Sequence, residues 1–139
     1  MIYTIGYAGV PVEDLAAFVS HQEALLCDIR FSPHSRNPQY TQRQLQARFG
    51  ERYRHVPALG NRNYRGGEIS IVDYAQGKQE IAAYLQDWFA VVLLCVCAEV
   101  QTCHRKLVAE RLSLHLGHAC IHHRIPPPGQ RAHQMPLPF

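Results

Sequence analysis

"AVVLLCVCAEVQTCHRKLVAERL", residues 90–112, opens as an unbroken apolar run and closes as an amphipathic helical pattern. A strand that is apolar at every position from 90 to 98 is one buried on both faces, as in the middle of a parallel sheet. A strand that feeds straight into a helix is half of a βαβ unit. Residues 103–116 form the clearest helix in the chain. At the joint lie Cys97, Glu99, Cys103, His104 and Arg105, five reactive or charged side chains within nine positions.

The same alternation extends outward in both directions. Ile2 to Tyr7 reads as a first strand, followed by a turn loosened by Gly6 and Gly9. Pro11 suits a first helical turn, and Val12, Leu15, Phe18 and Val19 give one apolar face. Residues 24–30 (ALLCDIR) form a second strand, apolar on both faces until Asp28. Thr41 with Gln44 is a capping-box pattern opening a short helix that Gly50 stops. Residues 53–59 are a weaker third strand, and 59–68 (LGNRNYRGGE) read as a mobile loop carrying two arginines. Residues 73–88 are helical, and 119–125 make the last strand. The expected fold is α/β, a single domain over residues 1–125 with a mainly parallel central sheet of about five strands and helices on both faces. After Ile125 five prolines in fourteen residues predict an extended C-terminal tail, residues 126–139.

A chain of 139 residues suits one such domain, and 47% hydrophobic with 18% charged residues is an ordinary soluble composition. The net charge of +3 favours an anionic ligand but lacks the clustered Lys/Arg stripe of a dedicated nucleic-acid binder. The apolar run at 90–98 is too short to span a bilayer, and no basic secretory leader opens the chain. Five cysteines, an odd number, fit a reducing compartment better than a disulfide framework, so a cytoplasmic location is expected.

In an open parallel sheet, ligands bind where strand ends meet helix starts. Three such ends are polar here: Gly6–Tyr7, then Asp28-Ile29-Arg30 running into Ser35 and Arg36, then Glu99 to Arg105. Thr102 reads as the N-cap of the last helix, leaving free amides and a dipole that favour an anion, with Arg105 as a clamp. The same field would activate Cys103 as a nucleophile. The bland alternatives are a small buried cysteine, a capping His104, and a structural Asp28–Arg30 ion pair. Phosphatase, dinucleotide-binding and P-loop motifs are absent. Cys97, Cys103 and His104 could supply three zinc ligands, but paired C-x₂-C spacing is missing and adjacent helical positions point about 100° apart. No metal ligand set is assigned, and the cofactor is left open.

"TIGYAG", "CDIRFSPHSRNPQY" and "CAEVQTCHRKLVAERL" together resemble the DUF488 family of bacterial and archaeal proteins of undefined function. The resemblance runs to about Ile125 and departs at Leu59-Gly60-Asn61, where the family commonly has a second Gly. It implies an α/β domain in which Asp28, Arg30, Ser35, Arg36, Glu99, Cys103, His104 and Arg105 are the group of interest. The acidic-x-Arg strand end is also similar to one strand of rhodanese-like domains, although their single-Cys loop is missing.

The leading expectation is therefore an enzyme, a hydrolase being one option, acting on a phosphorylated or other anionic substrate such as a nucleotide or nucleic-acid end. Arg30, Ser35, Arg36 and Arg105 would hold the anion. Asp28 or Glu99 would be the general base, with Cys103 the nucleophile and His104 beside it. The alternatives are a non-catalytic nucleotide or nucleic-acid binder and a cysteine-based redox or metal-binding domain. No membrane partner is expected, and the oligomeric state is open. Asp28 and Glu99 discriminate the first two readings, since carboxylates beside an anion only repel it.

Overall fold

The computed structural model describes residues 1–126 and 128–131. Its elements are β1 (Ile2–Gly6), α1 (Val12–His21), β2 (Ala24–Asp28), α2 (Gln42–Phe49), β3 (Tyr53–His55), α3 (Tyr74–Asp87), β4 (Ala90–Cys95), α4 (His104–Leu116), β5 (Cys120–His122) and a single turn, α5 (Pro128–Arg131). The five strands form one sheet in the order β3-β2-β4-β1-β5, and every pairing is parallel. This is the expected α/β architecture. The apolar run that begins at Ala90 becomes the middle strand, with Val91, Val92, Leu93 and Leu94 all fully buried. At roughly 1.5–3 kcal/mol per buried aliphatic side chain, this strand is a main source of the driving force for folding.

Alternation along the strands divides the core in two. One cluster joins Ile5, Leu26, Val92 and Leu94 to Leu15 and Val19 of α1 and Leu45 of α2. The other joins Leu25, Cys27, Val91 and Leu93 to Ile81 of α3 and Val108, Ala109 and Leu112 of α4. The connections leaving β1 and β2 therefore run over one face and the connection leaving β4 over the other. Such a divergence opens a crevice at the carboxyl edge, where ligands bind in this class of sheet.

Several elements are shorter than the sequence pattern suggests. The third strand stops at His55, because Pro57 has no N–H for a ladder and begins a 3₁₀ turn instead, Pro57–Leu59. β4 ends at Cys95 and β5 spans only Cys120–His122. Where an extended tail was expected, residues 128–131 make one helical turn, for which Pro128 at the first position forfeits no needed N–H. The rest of that tail lies outside the described residues. The loop read as mobile is tied at its base: the Asn61 side chain accepts from the amides of Asn63 and Ser70, and Asn61 bridges to Ile71. No described helix is long and apolar enough to cross a membrane.

Candidate functional site

The ends of β1, β2 and β4 meet at the floor of a cavity of about 690 Å³, within the usual size range of small-molecule sites. The floor is assembled by close backbone approach. A Cβ on Gly6 would fall 1.6 Å from the Cys97 carbonyl oxygen, so the β1 end tolerates no side chain there. Gly60 likewise abuts the backbone of Phe31, where a Cβ would lie 2.6 Å from its Cα.

On the α1/α2 side the floor is closed by hydrogen bonds. Arg30 grips Asp28 through Nε (2.8 Å) and Nη2 (2.6 Å), and its own amide donates to Asp28 Oδ1 at 3.2 Å. Tyr53 donates its hydroxyl to Asp28 Oδ2 at 2.6 Å. A carboxylate offers about four lone-pair positions, so Asp28 is saturated, and it is fully buried. Burial disfavours the charge on Arg30, but the hydrogen bonds and charge of Asp28 outweigh it and raise the guanidinium pKa. Burial and then the Asp28 charge raise the Tyr53 phenol. Arg30 also donates to the Tyr7 hydroxyl (3.1 Å), which in turn donates to Ser35 Oγ (3.1 Å), while Tyr7 stacks on Tyr40.

On the α3/α4 side the floor is made of sulfur and imidazole. Cys95 Sγ lies 3.7 Å and Cys103 Sγ 3.9 Å from His104 Nδ1, all three residues being buried. The other ring nitrogen, Nε2, is 3.0 Å from the Ile29 carbonyl. A carbonyl only accepts, so Nε2 carries the hydrogen and Nδ1 presents its lone pair to the two thiols. Cys97 stands half-buried at the cavity side of this cluster. Hydrogen bonds from Cys103 and Cys95 hold its thiol well below the ordinary range, with help from the charge of Arg105 and against the effect of burial. Cys103 is pushed up by its hydrogen bonds to Cys95 and Cys97 and by burial. For Cys95, the bond from Cys103 lowers the pKa, but Cys97 and burial prevail and bring it to about 11.

The walls carry Arg36, His34 and Ser35 from one loop and Tyr64, Arg65 and Ile69 from another. Phe31 and Tyr64 lie 5.9 Å apart and are each at least 40% exposed, so the mouth has an aromatic edge. No Asp or Glu is among the lining residues.

One family model matches part of the chain. Residues 15–70 match DUF488. That family is described as a domain of unknown function, and the match takes in Asp28, Arg30, Ser35 and Arg36 but stops well short of the cysteine segment. No curated protein and no solved structure matches.

The site residues expected from sequence divide clearly. Arg30, Ser35, Arg36, Cys103 and His104 line the cavity, whereas Asp28, Glu99 and Arg105 do not. Asp28 has no lone pair left for a substrate proton, so the general-base assignment fails on saturation. Glu99 is exposed and its Oε1 accepts from the Gln101 amide, capping a 3₁₀ turn that the sequence pattern did not show. Arg105 is 2% exposed and spends Nη2 on the Cys97 and Ala98 carbonyls, tying down the β4–α4 loop rather than meeting an anion. The N-cap of α4 is Cys103, not Thr102, with no side-chain cap bond. Lying outside the helix, Cys103 can point its sulfur back toward His104, and the 100° separation of helical neighbours does not apply. Cys103 is therefore buried at the cavity floor, and Cys97 is the most exposed of the three thiols that line it. β4 ends at Cys95, so strand alternation does not carry through to Cys97. Tyr7, Tyr53 and Arg65 were also missed as site residues, although the Gly6–Tyr7 strand end and the two-arginine loop both carried a signal.

Proposed function

We propose that this chain is an enzyme for a small phosphorylated or similarly anionic substrate of nucleotide size, with Cys97 as the side chain that meets the reacting centre. The observation that carries this reading is a cavity at the carboxyl edge of the sheet, lined by Arg36 and Arg65 and by no carboxylate, with a thiol at its floor. Arg30 adds little net attraction because Asp28 neutralises it. Ser35 Oγ accepts from Tyr7 and from the Asn37 amide, so its single hydrogen is left to donate to an anion. Phe31 and Tyr64 would cover an aromatic ring, as stacking sites for bases do. The sulfur would give its electron pair to an electrophilic substrate atom, which releases its leaving group. Reading the site as a non-catalytic anion binder is supported by the absent carboxylates but leaves the cavity-facing thiol without a use.

The test uses alkylation. Iodoacetate carries a charge that thiolates repel, so it ordinarily reacts more slowly than iodoacetamide. At Cys97 the order should invert, and inorganic phosphate or adenosine monophosphate should protect. Arg36→Ala with Arg65→Ala should restore the ordinary order. Peptide mapping that finds Cys97 no faster with iodoacetate, and unprotected by either phosphate compound, would rule the reading out.

A further inference from the structure

We propose that Cys95, Cys103 and His104 form a three-ligand site for a soft or borderline divalent ion, zinc being the best fit, with the fourth position open to the cavity. The donor atoms Cys95 Sγ, Cys103 Sγ and His104 Nδ1 lie within 4.8 Å of one another, and all three residues are buried. Zinc bonds of about 2.3 Å to sulfur and 2.0–2.1 Å to nitrogen, at tetrahedral angles, require sulfur–nitrogen separations of roughly 3.6 Å. The separations here are 3.7 and 3.9 Å, so closing on an ion needs movements of a few tenths of an ångström.

The imidazole is already set for the task. A ligating histidine typically donates its remote N–H to a fixed acceptor, which orients the ring and holds the correct tautomer. The Nε2 contact to the Ile29 carbonyl at 3.0 Å is such an arrangement. The competing reading, plain thiol–imidazole hydrogen bonding, uses the cluster incompletely. One Nδ1 lone pair accepts one S–H, yet two sulfurs converge on it, so the other S–H must turn away toward Cys97. A doubly charged ion would engage all three donors as Cys95 and Cys103 each release a proton, leaving the ligand charge equal and opposite to that of the ion. No carboxylate lines the cavity, so magnesium and calcium, which require oxygen donors, are poorly served.

Catalytic zinc sites keep three protein ligands and one open position, whereas structural sites close all four. All three ligands line the cavity, with the Cys97 thiol beside them. An ion there would grip an anionic substrate oxygen next to Cys97 and polarise the centre under attack. The inference rests on the anionic-substrate reading only for this use of the fourth position. Binding of the ion stands or falls separately.

Full-length protein stripped with a chelator, then loaded with zinc or cobalt and passed over a desalting column, should retain one ion per chain. The cobalt form should show the intense visible bands of a tetrahedral site together with thiolate charge transfer. Cys95→Ser and Cys103→Ser should each weaken retention by more than about 100-fold, the upper end of what loss of a mere orienting partner costs. Cys97→Ser and Cys120→Ser should keep one ion per chain. Should the serine variants misfold, differential alkylation of the unmutated protein gives the same answer: zinc should shield Cys95 and Cys103 while Cys97 stays reactive. A weak octahedral cobalt spectrum, retention unaffected by Cys95→Ser and Cys103→Ser, or loss of the ion in Cys97→Ser would each overturn the proposal. Phosphate protection of Cys97 is read independently, so failure of either idea leaves a distinct signature.

Discussion

The two sides of the cavity floor are built from the same kind of strand end but in opposite states of completion. On the Asp28–Arg30 side every strong donor and acceptor is matched. The carboxylate takes four hydrogen bonds, the guanidinium is bidentate, and two tyrosines close the ring. On the Cys95–Cys103–His104 side, soft donors converge on one lone pair and a third thiol stands at the cavity. A saturated polar network holds shape, because its members have nothing left to offer a ligand. An unsaturated one holds chemistry. The difference fits the proposal made above, with the acidic-x-Arg strand end as scaffold and the cysteine segment as the side with groups left to offer a ligand.

That contrast is easiest to break with Asp28→Asn. The variant keeps the shape but leaves the Arg30 charge buried without its partner, and urea denaturation should show a loss of about 3–5 kcal/mol. Equal stability would make the pair dispensable and the scaffold reading wrong. The double change Arg36→Ala, Arg65→Ala works on exposed side chains of the cavity wall. It should leave stability within about 0.5 kcal/mol for each substitution. Phosphate affinity measured by calorimetry should nevertheless fall about tenfold, equivalent to 1.4 kcal/mol. A large stability loss there, or an unchanged affinity, would blur the division between shape and binding.

The smallest effect is a control remote from both sides. His123 stacks on Phe18, and burial lowers its pKa below the ordinary value. A base with a depressed folded-state pKa stabilises the protein fully above its unfolded value near 6.5. That contribution is lost as pH falls, because the unfolded chain takes the proton first. Thermal unfolding should therefore weaken mildly below about pH 6.5, and His123→Phe should flatten this slope without altering Cys97 alkylation.

The fold was legible because its signals are local. A run apolar at every position, such as residues 90–98, has few places to go except a sheet covered on both faces. The proline at 57 shortened β3, and a proline at 128 opened a helical turn, each through the same missing N–H. For the site, the sequence determined which residues gather at the carboxyl edge, since strand ends in a parallel sheet share one edge by construction. Arg30, Ser35, Arg36, Cys103 and His104, expected at that edge, do line the cavity.

Roles within that edge were decided only by the tertiary structure. Whether Asp28 is a base or a strut depends on Tyr53, 25 positions away, donating to its second oxygen. Whether Arg105 holds an anion or a loop depends on Gly6 letting the Cys97 carbonyl come close enough to accept from it. Which thiol is most exposed in the cavity turns on β4 ending at Cys95, and on Cys103 capping the helix rather than lying within it. Hydrogen-bond saturation and burial are sums over neighbours distant in sequence. Residue type and spacing therefore name the members of the site, and only the folded chain determines what each has left to give.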